Sequence, residues 1–282
     1  MHPRSSFRAA VLTLVGTMSL VLASNSASAG ELDAHFKANN PASQTTVDHG
    51  AWSAFLSKYV VRSADGVNRV AYSKVAAADK QSLTNYLRAL QAVKVTALSS
   101  DEQRAFWINL YNALTINVVL DHYPVKSIRD ISLGGSLFSS FVTGGPWAKA
   151  LVAVEGKQLS LDNIEHDILR KVWRDPRVHY AVNCASIGCP NLVPVAFTAA
   201  ALDAMLTQGA RDYVNHPRGV RVSGQSAQLS QIYSWFREDF GTGDAAILGH
   251  VKTYAEPGLK AQLDAVRSIA GYDYDWSLND AK

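Results

Sequence analysis

The chain of 282 residues carries only two cysteines, Cys184 and Cys189, too few for a disulfide-built scaffold. It also lacks any marked excess of charge. Lys and Arg number 27 against 24 Asp and Glu, a formal net charge of +3. Such a balance gives no global field to draw the chain onto nucleic acid or an anionic bilayer, so neither is an expected partner. There is no internal repeat and no low-complexity linker. Beyond residue 29 no apolar run approaches the roughly 20 residues that a membrane-spanning helix needs. The Gly134-Gly135 and Gly144-Gly145 pairs match no phosphate-cradling fingerprint, and no cofactor is expected. What is present is enough apolar material for a core, 48% of residues, with 18% charged, too few for a disordered chain.

The first residues read as an address. Arg4 and Arg8 precede an apolar stretch from Ala9 to Ala23, and a small, polar tract then ends in Ala27-Ser28-Ala29 before Gly30. A basic start, a short apolar middle and an A-x-A close make a secretory signal peptide over residues 1–29. Its removal leaves 25 basic against 24 acidic side chains. The expectation is a periplasmic or secreted protein, cleaved near Ala29/Gly30, with no stable membrane span afterwards. An oxidising compartment would permit a Cys184–Cys189 bridge.

Beyond the leader, residues 30–46 are polar and read as a loose lead-in to a single domain over 47–282. Asp48 is placed to cap a helix in which Trp52, Phe55, Leu56 and Tyr59 recur at helical spacing. A short strand follows Asp65-Gly66, from Val67 to Tyr72, then a helix near 80–93 with Leu83, Tyr86, Leu87 and Leu90 on one stripe. Ser99 with Glu102 has the spacing of a capping box, and Leu98 that of a hydrophobic staple. The helix they would open, near 99–121, is apolar nearly all round, which predicts a buried centre. Strands are expected at Leu137–Val142 and Ala148–Val154, the latter closing on a Glu155-Gly156 turn. Ser160 would cap a helix from Leu161 to Lys171, ended by Asp175-Pro176. Val178 to Asn183 reads as a strand delivering Cys184. Helices near 198–214, 230–238 and 244–254, with a hairpin at 219–229, complete an α+β class: helices around a small, mostly antiparallel sheet.

Several stretches stand together as motifs: Phe106-Trp107-Ile108-Asn109-Leu110-Tyr111-Asn112, Ile164-Glu165-His166-Asp167, Asp175-Pro176-Arg177-Val178-His179, Asn183-Cys184-Ala185-Ser186 with Cys189-Pro190, then Ser234 to Phe240 and Tyr274 to Asn279. In these the chain resembles the family called "domain of unknown function 547", with a core over roughly residues 95–215 and the last two motifs extending it to about 280. The resemblance implies a fold and a candidate site, and leaves the activity to be argued from side chains.

Two classes of function follow. In the first, a cysteine-dependent hydrolase or acyl transferase cleaves an amide, peptide or ester bond in the cell envelope. Cys184 attacks, His166 is its base, and Asp175, Glu165 and Asp162 are candidate orienting acids. His179, five residues before Cys184, would lie on the opposite face of an ideal strand. Asn109 and Asn112, polar in an apolar helix, together with Arg177, Asn183 and Ser186, are the candidate substrate-binding side chains. For the two helix asparagines the competing reading is structural, the tying of the helix to loop backbone. For Arg177 it is a turn-fixing pair with Asp175. In the second class, a non-enzymatic module binds a small molecule, peptide or glycan in the same cleft, and Cys184–Cys189 is a structural disulfide. A thiol–disulfide redox role is the weaker, since the spacing is not C-x-x-C. His166, His179, Cys184 and Cys189 are zinc-ligand types, but their spacing fits no standard site, so no metal is expected. Trp107, Tyr111, Trp235 and Trp276 read as core residues rather than a ligand platform.

Overall fold

In the computed structural model, residues 29–133 and 145–281 are described. The leader up to Ser28, the strand expected at Leu137–Val142, and Gly134, Gly135 and Gly144 lie outside those residues.

The first described element is helix α1 (Ala29–Phe36). Leu32 and Phe36, four residues apart and therefore on one face, are both buried. Phe36 meets Trp107 edge-on at 4.7 Å between centroids. Helix α2 (Gly50–Tyr59) buries Trp52, Phe55, Leu56 and Tyr59 as their spacing predicts. Its N-cap is His49 and not Asp48; the Asp48 carboxylate accepts from the Gly50 N–H at 2.8 Å instead. Strands β1 (Val60–Arg62) and β2 (Asn68–Val70) form a short antiparallel hairpin. Helix α3 (Ala77–Gln91) lays its Leu83, Tyr86, Leu87 and Leu90 stripe into the core.

Helix α4 (Ser100–His122) is the centre of the fold. Every residue from Glu102 to Ile116 is buried, in keeping with an apolar surface that has no solvent side. The expected capping box does not form. Ser99 is the N-cap but makes no side-chain cap bond, because the Glu102 carboxylate is spent on the Val47 N–H at 2.7 Å. The hairpin β3 (Val152–Val154) and β4 (Lys157–Leu159) turns through Glu155 and Gly156, both at positive φ, the conformation that tight hairpin turns require.

Ser160 starts the next helix as predicted, its hydroxyl accepting from the Asn163 N–H at 3.1 Å. Over Asn163–Leu169 the backbone then widens into a π-helix, with the Arg170 N–H reaching back five residues to the Glu165 carbonyl, before closing as α5 (Arg170–Trp173). The strand expected over Val178–Asn183 is absent. Asp175 caps a 3-10 helix, Pro176–Tyr180, by accepting from the Arg177 N–H, and Pro176 occupies its first turn with the fixed φ that suits a helical start. The β-branched residues there are outweighed by that local capping.

Helix α6 (Leu202–Val214) is followed by β5 (Val220–Ser223), β6 (Ser226–Ser230), the short helices α7 (Ile232–Trp235) and α8 (Arg237–Phe240), then α9 (Asp244–Tyr254). None of the expected elements covers α10 (Pro257–Asp264) or β7 (Ser268–Asp273). The β5–β6 pair is the expected hairpin, and β7 joins β6 in parallel. The strands thus divide among three small sheets within a helix-rich α+β domain. One apolar cluster surrounds α4, and a second packs α6, α9 and β5–β6. Among the described residues no helix is long and apolar enough to cross a membrane.

Candidate functional site

A cavity of about 200 Å³ is lined by members of both apolar clusters, including Tyr111 and Val182 from the first and Ile232 and Phe236 from the second. Its polar lining comes from three places. The π-helix and the turn before it supply Asp162, Glu165 and His166; the 3-10 helix supplies His179; and the loop after it supplies Cys184 and Cys189. The extra residue in a π-turn shifts the side chains that follow it around the helix axis, a device common at functional sites. Here it lies beneath adjacent residues, Glu165 and His166, that share one cavity.

Cys184 and Cys189 form a disulfide, one of the two outcomes the sequence left open. The loop they close is held from every side. The Cys184 N–H and the Tyr274 hydroxyl both donate to Cys189 Sγ, at 2.9 and 3.0 Å. Ser186 Oγ donates to the Tyr274 hydroxyl at 2.9 Å. Asn183 spans the loop, donating to the Pro190 carbonyl at 2.6 Å and accepting from the Ala185 N–H at 2.8 Å. The C-terminal segment straps the same loop through Ile187 N–H to Ser277 O and Gly188 N–H to Asp275 O, each 2.8 Å. A Cβ on Gly188 would come within 2.9 Å of the Asp275 nitrogen and the Tyr274 ring, so only glycine permits this approach.

The other sequence-derived candidates separate into two groups. Cys184, Cys189, His166, Glu165 and His179 share the cavity, as does Asp162. Asn109, Asn112, Asp175, Arg177, Asn183 and Ser186 are not among its lining residues. Asn109 is fully buried and its amide closes a two-bond ring with the Phe197 N–H and carbonyl, at 2.9 and 2.8 Å. Asn112 does the same work on the cysteine loop's approach, donating to the Ala181 carbonyl at 2.9 Å and accepting from the Asn183 N–H at 2.8 Å. Asp175 is clamped by Arg104 at 2.9 Å and by Arg177 at 2.7 Å, and Arg177 continues to Asp203. Burial alone would raise the Asp175 carboxyl, but these two guanidiniums outweigh it and hold it at about 2.

His166 is already engaged at both ring nitrogens. Nδ1 faces Arg170 Nη1 at 3.4 Å, and a guanidinium can only donate, so Nδ1 accepts. The ring proton is then on Nε2, 3.6 Å from Asp162 Oδ1. His179 is buried, with Nε2 2.6 Å from Asp239 Oδ2 and Nδ1 3.8 Å from Glu165 Oε1. Its ring stacks on Phe236 at 4.1 Å. Burial would raise Asp239, but hydrogen bonds from His179 and Arg170 bring it down to about 2. Asp162 moves the other way. Burial raises it, and the Glu165 and Asp167 carboxylates add to the rise against His166.

Trp235 and Trp276, which sequence reasoning assigned to the core, belong to an aromatic wall. Trp147, Trp235, Tyr274 and Trp276 line the cavity as one cluster. Ring centroids are 4.9 Å apart for Trp235–Tyr274, 4.8 Å for Tyr274–Trp276 and 5.7 Å for Trp147–Trp276. Trp235 is 45% exposed. Asp239 and Tyr274 were also missed as site residues. Each sat inside a motif that had been noted, but neither has a local pattern that separates a site residue from a core one. Among the described residues no group of three or more His, Cys, Asp or Glu is placed to hold a metal ion.

No curated protein and no solved structure matches the chain. Residues 95–214 do match a family, described as "Protein of unknown function, DUF547". That span ends before Trp235 and Tyr274, so the match covers the acidic and cysteine side of the cavity and stops short of most of its aromatic wall. Over residues 95–214 this chain resembles that family.

Proposed function

We propose that the chain is an exported, non-enzymatic binding module that takes a small ligand, or one group of a peptide or glycan, into the aromatic cavity. The observation that carries this reading is the half-exposed Trp235 standing over a cavity whose cysteines are paired with each other. A large aromatic left in solvent beside a concave, mostly apolar site is a feature of ligand surfaces. A volume of about 200 Å³ lies below the roughly 300–1,000 Å³ of sites for drug-sized ligands, which suits a single headgroup, side chain or sugar ring. Reading residues 1–29 as a leader places the module outside the cytosol, where a disulfide persists.

The test is a fragment panel followed by tryptophan fluorescence and by ligand-detected NMR, on the wild type and on Trp235→Ala. Saturable binding that weakens at least tenfold in the variant, with an unchanged thermal midpoint, is the expected result. Absence of saturable binding, or equal binding by the variant, would contradict the proposal.

A second reading is supported by one observation, that Cys184 and His166 line the same cavity. It is the cysteine-dependent hydrolase or acyl transferase, acting on an amide, peptide or ester bond. It requires a reduced Cys184, with His166 as base and Asp162 as its orienter. Fast alkylation of Cys184 in the native protein would favour it.

A further inference from the structure

The charge around the cavity is one-sided. Asp162 and Glu165 line it, and among its described lining residues there is no Lys or Arg. Arg170, which sits against the lining residue Phe236, is committed to Asp239 at 2.5 Å and Glu238 at 2.7 Å. The two imidazoles that face these carboxylates are shared with other groups: His166, 3.6 Å from Asp162, has Nδ1 on Arg170, and His179, 3.8 Å from Glu165, has Nε2 on Asp239. Burial, with the Glu165 and Asp167 carboxylates adding to it, raises Asp162 despite the nearby His166. The acidic and aromatic sides are also physically joined, since the Asp162 N–H donates to the Trp147 carbonyl at 3.1 Å.

Resting on the binding-module reading, we propose that the group entering this cavity is an organic cation of the alkylammonium class, held between the Trp235–Tyr274–Trp276 rings and the Asp162 and Glu165 carboxylates. Aromatic faces attract an ammonium through their quadrupole, most strongly when water is excluded. Two carboxylates set against such faces supply the counter-charge. The same cluster already accepts one cation: the Arg129 guanidinium, which is not among the lining residues, sits 5.2 Å from the Trp276 ring centroid. A bare metal ion would find too few oxygen ligands here. A neutral sugar ring would find acceptors without the side-chain amides and guanidiniums that usually donate to its hydroxyls.

The experiment compares choline with its neutral isostere, 3,3-dimethylbutan-1-ol, by tryptophan fluorescence and NMR titration of the disulfide-intact protein. Choline should bind at least tenfold more tightly than the isostere. Asp162→Asn, at a partly exposed position that tolerates the change, should weaken choline at least threefold and leave the isostere unchanged. Trp235→Ala should weaken choline by a similar factor with the fold intact by circular dichroism. Equal affinities for choline and isostere would overturn the cation assignment, as would no choline binding. If neutral fragments still bind and lose affinity in Trp235→Ala, the binding module stands and only the cation assignment falls. If nothing binds, both fall.

Discussion

Replacing Asn112 by Ala separates a structural asparagine from a ligand-binding one. The Asn112 amide, 2% exposed, joins α4 to both the Ala181 carbonyl and the Asn183 N–H. Those backbone groups belong to buried residues, and truncation leaves a donor and an acceptor without partners. Each unsatisfied buried group costs about 1–3 kcal/mol, so the pair costs roughly 2–6 kcal/mol with a small cavity besides. A loss near 3 kcal/mol takes a large share of the roughly 5–15 kcal/mol that holds a domain folded, and lowers the melting midpoint by roughly 6–12 °C for a chain of this size. Urea unfolding followed by circular dichroism measures it, with Asn109→Ala as the matched control because its ring to Phe197 has the same form. Ligand affinity of the folded fraction should stay within twofold. A loss below 1 kcal/mol, accompanied by lost binding, would refute the structural assignment.

Acid should unfold the protein in two stages. Burial holds His49 and His250 down at about 4; a lowered folded-state value means the unfolded chain takes up protons first, so stability falls from pH 6.5 towards 4, by up to about 3 kcal/mol for each group. Asp175, held at about 2 by Arg104 and Arg177, then contributes stability that is present above the unfolded carboxyl value and lost as pH drops from about 4 to about 2, roughly 2 kcal/mol in all. Asp175→Asn should flatten that second stage in pH-dependent urea melts and, by leaving Arg104 buried and unpaired, cost about 3–5 kcal/mol at pH 7. Gly188→Ala drives a methyl into the Asp275 nitrogen and the Tyr274 ring; raised hydrogen exchange at Ile187 and Gly188 should report the loosened strap. Cys184→Ser with Cys189→Ser removes a bridge closing a short loop, a loss of about 2 kcal/mol in the chain-entropy account, read as a lower urea midpoint.

What the sequence made legible follows from local periodicity. The α4 core, the α2 and α3 stripes, the Glu155-Gly156 hairpin and the Ser160 cap each depend on residues within a few positions of one another. Failures came where distant groups compete. Glu102 looked like half of a capping box until Val47, 55 residues away, claimed its carboxylate. Val178–Asn183 has strand-like residues, yet Asp175 and Pro176 set a 3-10 turn, and Asn112 takes the backbone groups a sheet would have used. The cysteine, histidine and acidic members of the cavity were readable because their chemistry marks them. The tryptophans were not, since the same residue serves a core or a ligand wall, and only the packing of the C-terminal strap brings Tyr274 and Trp276 against Trp235.

The most direct measurement is the intact mass of the native protein after alkylation, with and without prior reduction. The account predicts a mass two daltons below the dithiol form and no alkylation at Cys184 or Cys189 until reductant is added. Two free thiols, with Cys184 alkylating rapidly well below the ordinary thiol pKa of about 8.5, would contradict the binding module and turn the same cavity into the site of a cysteine nucleophile.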